Sequence, residues 1–405
     1  MVCNRLAMDL LLTGYRKRKR FFIINQLQQG GFMNKTKVLV IFGTRPEAVK
    51  MAPIIKSLKN EEYFDTKICV TAQHREMLDQ VLRIFEIIPD YDLNIFKSGQ
   101  TLTEITCRAL MGLEGVIEDF KPDIVLVQGD TSTVFSGALA AFYHQVKIGH
   151  VEAGLRSGNL YSPYPEEANR RLTGIITDFH FAPTVTSKEN LLNEGYDERK
   201  IYITGNTSID ALKWVIDSNY KFEDEILNNI DFENKKVILL TAHRRENIGE
   251  PMENIFSAVK EAAEKNKNVE VIYPMHLNPK VREIARKVFG DMDNIHLIEP
   301  LDYLPFTNLM AKCYLVVTDS GGVQEEAPSL GKPVLVVRRE TERPERIEAG
   351  TARLVGTEKN VILKEIDTLI NNEEEYKKMA NAVNPYGDGR AAEYIKEAII
   401  NKMIV

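Results

Sequence analysis

"KVLVIFGTRPEAVK", residues 37–50, begins with a short apolar run and then changes period after Gly43. A Val/Ile/Leu run of this length, ending at a glycine, is typical of a strand that is buried on both faces of a sheet. Pro46 suits the first turn of a helix, because the N–H that proline lacks would have no partner there. The stretch therefore predicts a strand, a tight loop and a helix, which is the repeating unit of a parallel α/β sheet.

The same pattern recurs along the chain and then restarts after a polar, acidic stretch near 217–235. The predicted strands of the first series are 37–42, 67–71, 124–128, 147–151, 179–182 and 201–204, and those of the second are 236–241, 270–274, 295–298, 314–318, 333–337 and 352–355. At 405 residues the chain is longer than the roughly 250–300 at which one core stops growing. We predict an α/β fold with two Rossmann-like, doubly wound domains, 33–205 and 206–388, of six strands each, facing a central cleft. A C-terminal helix over about 389–405 is expected to return to the first domain.

The first 32 residues differ from the rest. Their basic cluster, Arg16 to Arg20, follows the apolar run instead of preceding it, which is the wrong order for a secretory signal. No stretch of the chain approaches the 18 or more apolar residues of a membrane-spanning helix. The four cysteines are scattered without metal-site spacing, which favours a reducing compartment. We expect a disordered or non-native extension over 1–32, and a cytoplasmic protein without membrane insertion.

Composition and missing motifs exclude several classes of function. The formal net charge is −6, so there is no basic surplus to suggest nucleic acid as the main partner. The chain contains neither GxxxxGK[ST] nor a GxGxxG after its first strand, so neither a P-loop nor a dinucleotide cofactor is indicated. HExxH is also missing, and we predict no metal.

Five polar loops follow predicted strands: "FGTRPEAVK", "QGDTST", "VEAGLRSG", "TAHRREN" and "TDSGGVQEE". Ligands of open parallel sheets bind outside the carboxyl ends of the strands. If the two domains face each other, all five loops border one cleft.

One of these loops, "TDSGGVQEE", suits a nucleotide. Ser320 is expected to cap a helix, while Gly321 and Gly322 let a phosphate approach the backbone. A carboxylate of the Glu325–Glu326 pair then accepts hydrogen bonds from ribose hydroxyls. The alternative is a helix N-terminus whose acidic residues favour its dipole.

Cations lie on the loops at the start of each series. Arg45 and Lys50 are placed to supplement the positive end of the first helix in binding an anion. The alternative is a capped helix whose charges face solvent. His243, with two arginines after it, is suited to stabilise a departing diphosphate, although a lone histidine at a strand end is more often structural.

Carboxylates on separate loops indicate proton transfer. Asp130, Glu152 and the pair Glu166–Glu167 follow strands or lie in the long polar loop after them, and environments that push carboxylate pKa values apart produce one acid and one base. The alternative is that each one forms an ion pair with an arginine, namely Arg156, Arg170 or Arg171.

Taken together, "GTRPEAVKMAP", "TAQHREML", "VQGDTSTV", "HVEAGLRSG", "PEEANRR", "GNTSID", "TAHRREN" and "TDSGGVQEEAPSLGKPVLVVRRETERPE" closely resemble the non-hydrolysing UDP-N-acetylglucosamine 2-epimerases. The resemblance runs from about Lys37 to Arg390. It implies the GT-B fold and interconversion of UDP-N-acetylglucosamine and UDP-N-acetylmannosamine, through elimination of UDP to 2-acetamidoglucal and its re-addition, without a cofactor. Such an activity supplies cell-surface polysaccharide.

The resemblance also implies roles for individual residues. The catalytic positions are Asp130, Glu152, Glu166 and His243, and the substrate-binding positions are Arg45, Lys50, Phe306, Ser320, Gly321, Gly322, Glu326 and Arg343. Glu326 is expected on the ribose and Phe306 near the uracil. A homodimer is implied, as is a second site, formed by Gln73, His74 and Glu76, where UDP-N-acetylglucosamine activates the enzyme.

Three other functions remain open at this point. A hydrolysing relative would release N-acetylmannosamine and UDP. A GT-B glycosyltransferase would need an acceptor, and a UDP-sugar-binding regulator would lack turnover.

Overall fold

The computed structural model describes residues 35–72, 75–340 and 344–404, and within them the chain forms two parallel sheets flanked by helices. The predicted extension, 1–32, lies outside the described residues. The strands are β1 Thr36–Phe42, β2 Phe64–Val70, β3 Tyr91–Asp92, β4 Ile124–Gln128, β5 Lys147–Val151, β6 Phe179–Ala182, β7 Ile201–Ile203, β8 Lys236–Thr241, β9 Val269–Pro274, β10 Ile295–Ile298, β11 Leu315–Thr318, β12 Val334–Val336 and β13 Ala352–Leu354.

The α-helices alternate with these strands, as the hydrophobic pattern predicts. They are α1 Arg45–Lys59, α2 Arg75–Ile84, α3 Leu102–Phe120, α4 Ser132–Tyr143, α5 Glu166–Ile176, α6 Val185–Asn193, α7 Thr207–Val215, α8 Glu225–Asn228, α9 Glu250–Lys265, α10 Pro279–Phe289, α11 Tyr303–Lys312, α12 Gly321–Glu326, α13 Pro344–Glu348, α14 Lys359–Asn371, α15 Glu373–Ala380 and α16 Ala391–Ile399.

Both sheets have the same strand order. The first runs β3-β2-β1-β4-β5-β6-β7 and the second β10-β9-β8-β11-β12-β13, and the pairings between these strands are parallel. The order reverses between β1 and β4 in one sheet and between β8 and β11 in the other. A crevice opens at such a reversal, and ligands of doubly wound sheets bind there. The predicted pair of Rossmann-like domains is confirmed.

The prediction of six strands in each half was wrong for the first half. Its described part has a seventh strand, Tyr91–Asp92, which pairs with the end of β2 through only two residues, Cys69 and Val70. Such a short edge strand has no apolar run, so the hydrophobic pattern did not indicate it.

The C-terminal helix α16 packs on the first domain. Ile395 and Ile399 are buried in the same core cluster as β1 and α1. Ser57 of α1 donates a hydrogen bond of 2.7 Å to Glu393, and Lys396 forms an ion pair of 2.9 Å with Glu61. The last part of the chain thus completes the core around the first sheet.

The chain crosses between the two sheets at two adjacent segments, which meet at Gly205 and Gly387. A Cβ on Gly205 would lie 2.9 Å from the carbonyl oxygen of Tyr386, and the φ angles of the two glycines are 85° and 109°. Both positions therefore require glycine, for close approach and for backbone conformation. The backbone N–H of Asn206 donates to the carbonyl of Tyr386 at 2.7 Å, which joins the two crossing segments.

Among the described residues, no helix is both long enough and apolar enough to cross a membrane.

Candidate active site

The loop after β1 is fixed by a buried carboxylate. Glu47 accepts hydrogen bonds from the backbone N–H groups of Gly43 (2.8 Å) and Thr44 (2.7 Å), and forms a capping box with Thr44. Burial raises the pKa of Glu47, and the hydrogen bonds from Thr131, Gly43 and Thr44 partly offset this. A Cβ on Gly43 would come within 2.2 Å of the Thr71 hydroxyl, so only glycine fits. The rigid loop positions the start of α1, with Arg45 in its first turn, beside the cleft.

Lys50, one turn further along α1, forms an ion pair with Glu152, which follows β5. The same oxygen of Glu152, Oε2, accepts from Gln128 at 3.2 Å and from Asn206 at 3.3 Å. Burial lowers the pKa of Lys50, but attraction to Glu152, Glu325 and other carboxylates outweighs burial, so the net shift is upward. Lys50 is therefore charged, and the predicted phosphate-binding cation is neutralised by a carboxylate in this structure.

Glu152 has a φ of 65°, in the left-handed region that non-glycine residues seldom adopt. Such a conformation costs about 1–3 kcal/mol and persists only where its surroundings hold it. The donors to Oε2 supply that constraint. The backbone conformation and the three donors together give this carboxylate one defined position in the cleft.

Asp130, in the loop after β4, forms an ion pair with Arg170 of α5. Its backbone carbonyl accepts from the side chain of Asn169 at 2.9 Å. Arg170 also lies 3.3 Å from Glu167, whose side chain is buried. For Asp130, the structure therefore shows the alternative raised from the sequence, an ion pair with Arg170. Its charge nevertheless acts on Lys50, so Asp130 and Glu152 share one environment.

Glu166 is the first residue of α5, beside the fully buried Glu167. Its oxygen Oε2 is buried and accepts no hydrogen bond from a described residue. Buried carboxylate oxygens without donors are costly in a folded protein. Of the three candidate carboxylates, Glu166 is the one whose buried oxygen is left for a ligand to satisfy.

In the second domain, Asp319 organises the loop after β8. It is fully buried, and its Oδ2 accepts from the backbone N–H of His243 (2.9 Å), the backbone N–H of Arg244 (2.8 Å) and the side chain of Asn247 (3.1 Å). Its other oxygen lies 3.4 Å from Nδ1 of His243, a charge contact too long for a good hydrogen bond. Asp319 therefore sets the position of His243 at the edge of the cleft.

The imidazole of His243 stacks on that of His276, with ring centroids 5.3 Å apart and an angle of 11°. Burial lowers the pKa of His243, Asp319 opposes this, and His276 and Arg244 lower it further. Nδ1 is the ring nitrogen directed at Asp319, and neither ring nitrogen forms a hydrogen bond with a described residue. A neutral His243 is the favoured form before an anion binds beside it.

The loop after β11 differs from its prediction in one respect. Ser320 occupies the N-cap position of α12, but its side chain makes no capping hydrogen bond. Its backbone N–H is held instead by the Thr318 hydroxyl at 2.9 Å. Gly322 is exposed, with no atom within 4 Å of where a Cβ would stand. Open space beside a bare backbone is what a phosphate group requires.

The two glutamates of α12 have different environments. Glu325 is buried, with a 3.0 Å ion pair to Arg346, and it accepts a 3.2 Å hydrogen bond from Asn206. Burial and, after it, the charge of Glu325 raise the pKa of Glu326 to about 8, against the opposing effect of Lys50 and Arg45. Glu325 makes protein contacts, whereas Glu326 faces the cations of the first domain across the cleft.

A cavity of about 440 Å³ lies between the domains at the Arg45 end of this cleft. It is lined from the first domain by Arg45 and Arg83, and from the second by Tyr220, Phe222 and residues 300–305, which lead into α11 and form its first turn. Phe306 is the next residue of α11 and packs, partly buried, against the core of the second domain.

Four predicted site residues cannot be placed. Arg343, Gln73 and His74 lie outside the described residues, and so does the side chain of Glu76.

Three described side chains elsewhere have ligand atoms within 4.8 Å of one another: Glu114, Glu118 and His144. They lie in the second half of α3 and directly after α4, and the two glutamates are exposed.

Sequence reasoning missed four residues of this site: Glu47, Gln128, Asn206 and Asp319. Two had a readable signal, since Thr44 and Glu47 have capping-box spacing and Asp319 directly follows a strand. Gln128 and Asn206 are ordinary polar residues whose partners are distant in sequence, so no local pattern marks them.

Two doubly wound parallel sheets whose strand-end loops share one cleft define a two-domain α/β enzyme of the GT-B type. The family model described as UDP-N-acetylglucosamine 2-epimerase matches residues 56–400. The chain belongs to the UDP-N-acetylglucosamine 2-epimerase family and is an isomerase.

Individual relatives are similar over nearly their whole length. The UDP-N-acetylglucosamine 2-epimerase of Escherichia coli K12 is 55% identical over 373 residues, which are 91% of this chain and 99% of that protein. That of Bacillus subtilis is 56% identical over 368 residues, 91% and 96% of the two chains. The crystal structure of the Neisseria meningitidis enzyme bound to UDP-GlcNAc is 53% identical, has a TM-score of 0.81, and covers 91% of this chain and 100% of that one.

Proposed function

We propose that the protein interconverts UDP-N-acetylglucosamine and UDP-N-acetylmannosamine without net hydrolysis, by anti elimination of UDP and its re-addition. The observation that carries this proposal is the arrangement around Lys50. Lys50 forms an ion pair with Glu152 of the first domain, and Asn206 joins the same carboxylate oxygen to Glu325 of the second. The cleft therefore offers proton-transfer groups on one side and a nucleotide-binding loop on the other.

In the elimination step, the C1–O bond to UDP breaks, and the oxygen of the diphosphate retains the electron pair. A carboxylate removes the proton from C2, and the C2–H electrons form the C1=C2 double bond of 2-acetamidoglucal. Because C2 is only weakly acidic, loss of UDP runs ahead of proton removal, and positive charge at C1 is stabilised by nearby carboxylates. Asp130, Glu152 and Glu166 are our candidates for these tasks.

In the return step, a proton is delivered to the opposite face of C2 and the diphosphate oxygen attacks C1. The product has inverted configuration at C2, and no water is consumed. Two proton-transfer groups on opposite faces of the sugar are therefore needed. Asp130 and Glu152 come from different loops and have different partners, an arginine and a lysine, which supports a division of this kind.

We assign the remaining contacts by the motif resemblance and the geometry. Backbone groups of Ser320, Gly321 and Gly322 would bind the diphosphate, supplemented by Arg45 and Arg343. Glu326 would bind the ribose, and Phe306 would lie near the uracil. The Neisseria structure was obtained with UDP-GlcNAc bound, which supports the same ligand here.

Replacing His243 with alanine should lower kcat by on the order of 10²-fold, because the imidazole would stabilise charge that develops on the departing diphosphate. Steady-state kinetics with UDP-N-acetylglucosamine measures this. A rise in KM with an unchanged kcat would instead make His243 a ground-state binding residue.

Turnover in D₂O tests the reaction itself. Proton NMR of UDP-N-acetylglucosamine with the protein alone should show deuterium entering C2 of both UDP-sugars, with no free sugar accumulating. Accumulation of N-acetylmannosamine and UDP would indicate the hydrolysing reaction. A requirement for an acceptor would indicate a glycosyltransferase, and binding without exchange would indicate a regulator.

We further propose a cytoplasmic homodimer that supplies cell-surface polysaccharide and is activated by a second UDP-N-acetylglucosamine at the segment containing Gln73, His74 and Glu76. An apolar surface on two neighbouring helices of the first domain supports association between copies. Phe142 and Tyr143 at the end of α4 are 51% and 66% exposed, and Ile175 of α5 is 70% exposed. Single exposed apolar residues are ordinary, but several on adjacent helices indicate a contact surface.

A further inference from the structure

Asn206 lies where the chain crosses from the first sheet to α7, and its side-chain amide contacts both domains. Nδ2 is 3.3 Å from Oε2 of Glu152, which follows β5, and 3.2 Å from Oε2 of Glu325 on α12. The residue is 3% exposed. An amide nitrogen carries two hydrogens, so one donor is available for each carboxylate.

The orientation of this amide is determined by its third contact. Oδ1 accepts from the backbone N–H of Ser208 at 3.0 Å, as the N-cap of α7. A flipped amide would place oxygen beside two carboxylate oxygens and NH₂ against an N–H donor, so only one orientation satisfies all three neighbours. The backbone N–H of Asn206 is held by Tyr386 of the second crossing segment, which fixes the residue further.

The other described donors to Glu152 are Lys50 and Gln128, and both belong to the first domain. Among the described donors to this carboxylate, Asn206 is the one that also contacts the second domain. Glu325 is in turn held by the buried Arg346, so the amide is anchored at both ends. The position of Glu152 is thereby tied to the helix whose next residue, Glu326, faces the nucleotide side of the cleft.

We propose that Asn206 is a positioning residue for the epimerisation: its amide bridges Glu152 and Glu325 and sets the candidate proton-transfer carboxylate relative to the nucleotide-binding helix α12. This inference rests on the proposed function, because it assigns Glu152 to proton transfer. Asn206 does not itself contact the reacting atoms. Its effect on catalysis passes through the carboxylate that it holds.

The first test is Asn206→Ser. Serine caps a helix about as well as asparagine, so α7 should keep its N-cap, while the shorter side chain loses both carboxylate contacts. We expect kcat to fall by about 10- to 100-fold through misplacement of Glu152, with KM within about threefold of wild type. Asn372→Ser is the matched control, because Asn372 caps α15 through its side chain and forms no hydrogen bond with a carboxylate of a described residue. Its kcat and KM should equal those of the wild type.

The second test is Asn206→Asp, which keeps an equally good cap but places a third carboxylate against the other two. We expect kcat below that of Asn206→Ser, and thermal unfolding of both variants confirms that the measured protein is folded. A wild-type kcat in Asn206→Ser, a rise confined to KM, or equal activity of the two variants would overturn the proposal. The wild type is first checked for deuterium at C2 in D₂O: failure there rejects the proposed function, whereas exchange with unaffected variants rejects only the role of Asn206.

Discussion

Replacing Glu152 with glutamine should reduce kcat by about 10²- to 10⁴-fold, the range typical of removing a general acid or base. Glutamine has nearly the same shape and can still accept from Asn206, so the change removes charge and basicity more than packing. Deuterium incorporation at C2 should fall with kcat, because the same proton transfer limits both. Steady-state kinetics and the D₂O experiment on the same preparation measure the two quantities.

Glu61→Gln is a matched control for this substitution. Glu61 also forms a partly buried ion pair with a lysine, Lys396, but it lies beyond the far end of α1, away from the cleft. Its substitution should leave kcat unchanged. Loss of activity in both variants would mean that lysine–glutamate pairing stabilises the first domain, and that Glu152 has no special part in proton transfer. A Glu152→Gln protein that exchanges deuterium at the wild-type rate would also contradict the assignment.

The first domain should lose stability in mild acid because of two buried histidines. His150 and His180 are paired in register on β5 and β6, and both are almost fully buried. Burial lowers the pKa of His150 to about 4 and that of His180 to about 3. The unfolded chain takes up these protons near its ordinary value of about 6.5, so the free energy of unfolding falls as pH drops below that value. Each histidine should cost about 2 kcal/mol between pH 7 and pH 5.

His180→Phe isolates one of these contributions. Neither nitrogen of His180 has a hydrogen-bond partner among the described residues, so the substitution removes a titration without breaking a bond. The raised pKa of Glu326 makes the free energy of unfolding rise as pH falls, which opposes the effect of the histidines. Because Glu326 is present in both proteins, its effect cancels in the comparison. The loss of stability from pH 7 to pH 5 should be about 2 kcal/mol smaller in the variant than in the wild type.

Urea unfolding followed by the fluorescence of Trp214, the single tryptophan, measures this difference. The indole packs edge-on against Phe85 of the first domain, with centroids 5.6 Å apart, and therefore reports on that domain. Any packing cost of the larger phenylalanine is the same at both pH values. Parallel pH dependences of the two proteins would show that His180 is not the acid-sensitive group.

Most of the fold was predictable because parallel strands buried on both faces are near-continuous apolar runs. All twelve predicted strands correspond to observed strands within a few residues, and β3 is the observed strand without a predicted counterpart. β3 was missed because two residues at an edge bury too little to leave a pattern. The predicted C-terminal helix began two residues early, at 389, since Gly389 and Arg390 are polar loop residues that precede its first turn.

The sequence indicated which loops form the site, but it did not indicate the ion-pair partners of the residues in those loops. Asp130 and Glu152 were identified by their position after strands, yet nothing local showed that the first would pair with Arg170 and the second with Lys50. Such pairs join residues that are 40 and 102 positions apart. Long-range contacts of this kind depend on the strand order, which apolar runs alone do not specify. Asn206 was missed for the same reason, because its contacts with Glu152 and Glu325 are also long-range.

The return of α16 to the first domain has a consequence for synthesis of the protein on the ribosome. Glu393 pairs with Ser57, 336 residues earlier, and Ile395 and Ile399 fill the core beside β1. The first domain is translated first, but it lacks α16 until almost the entire chain has emerged. The apolar residues that α16 covers therefore stay exposed to solvent while the second domain is synthesised. Closing so long a loop is slow compared with local folding. We expect the second domain to reach its native state first, so that the order of folding is the reverse of the order of synthesis.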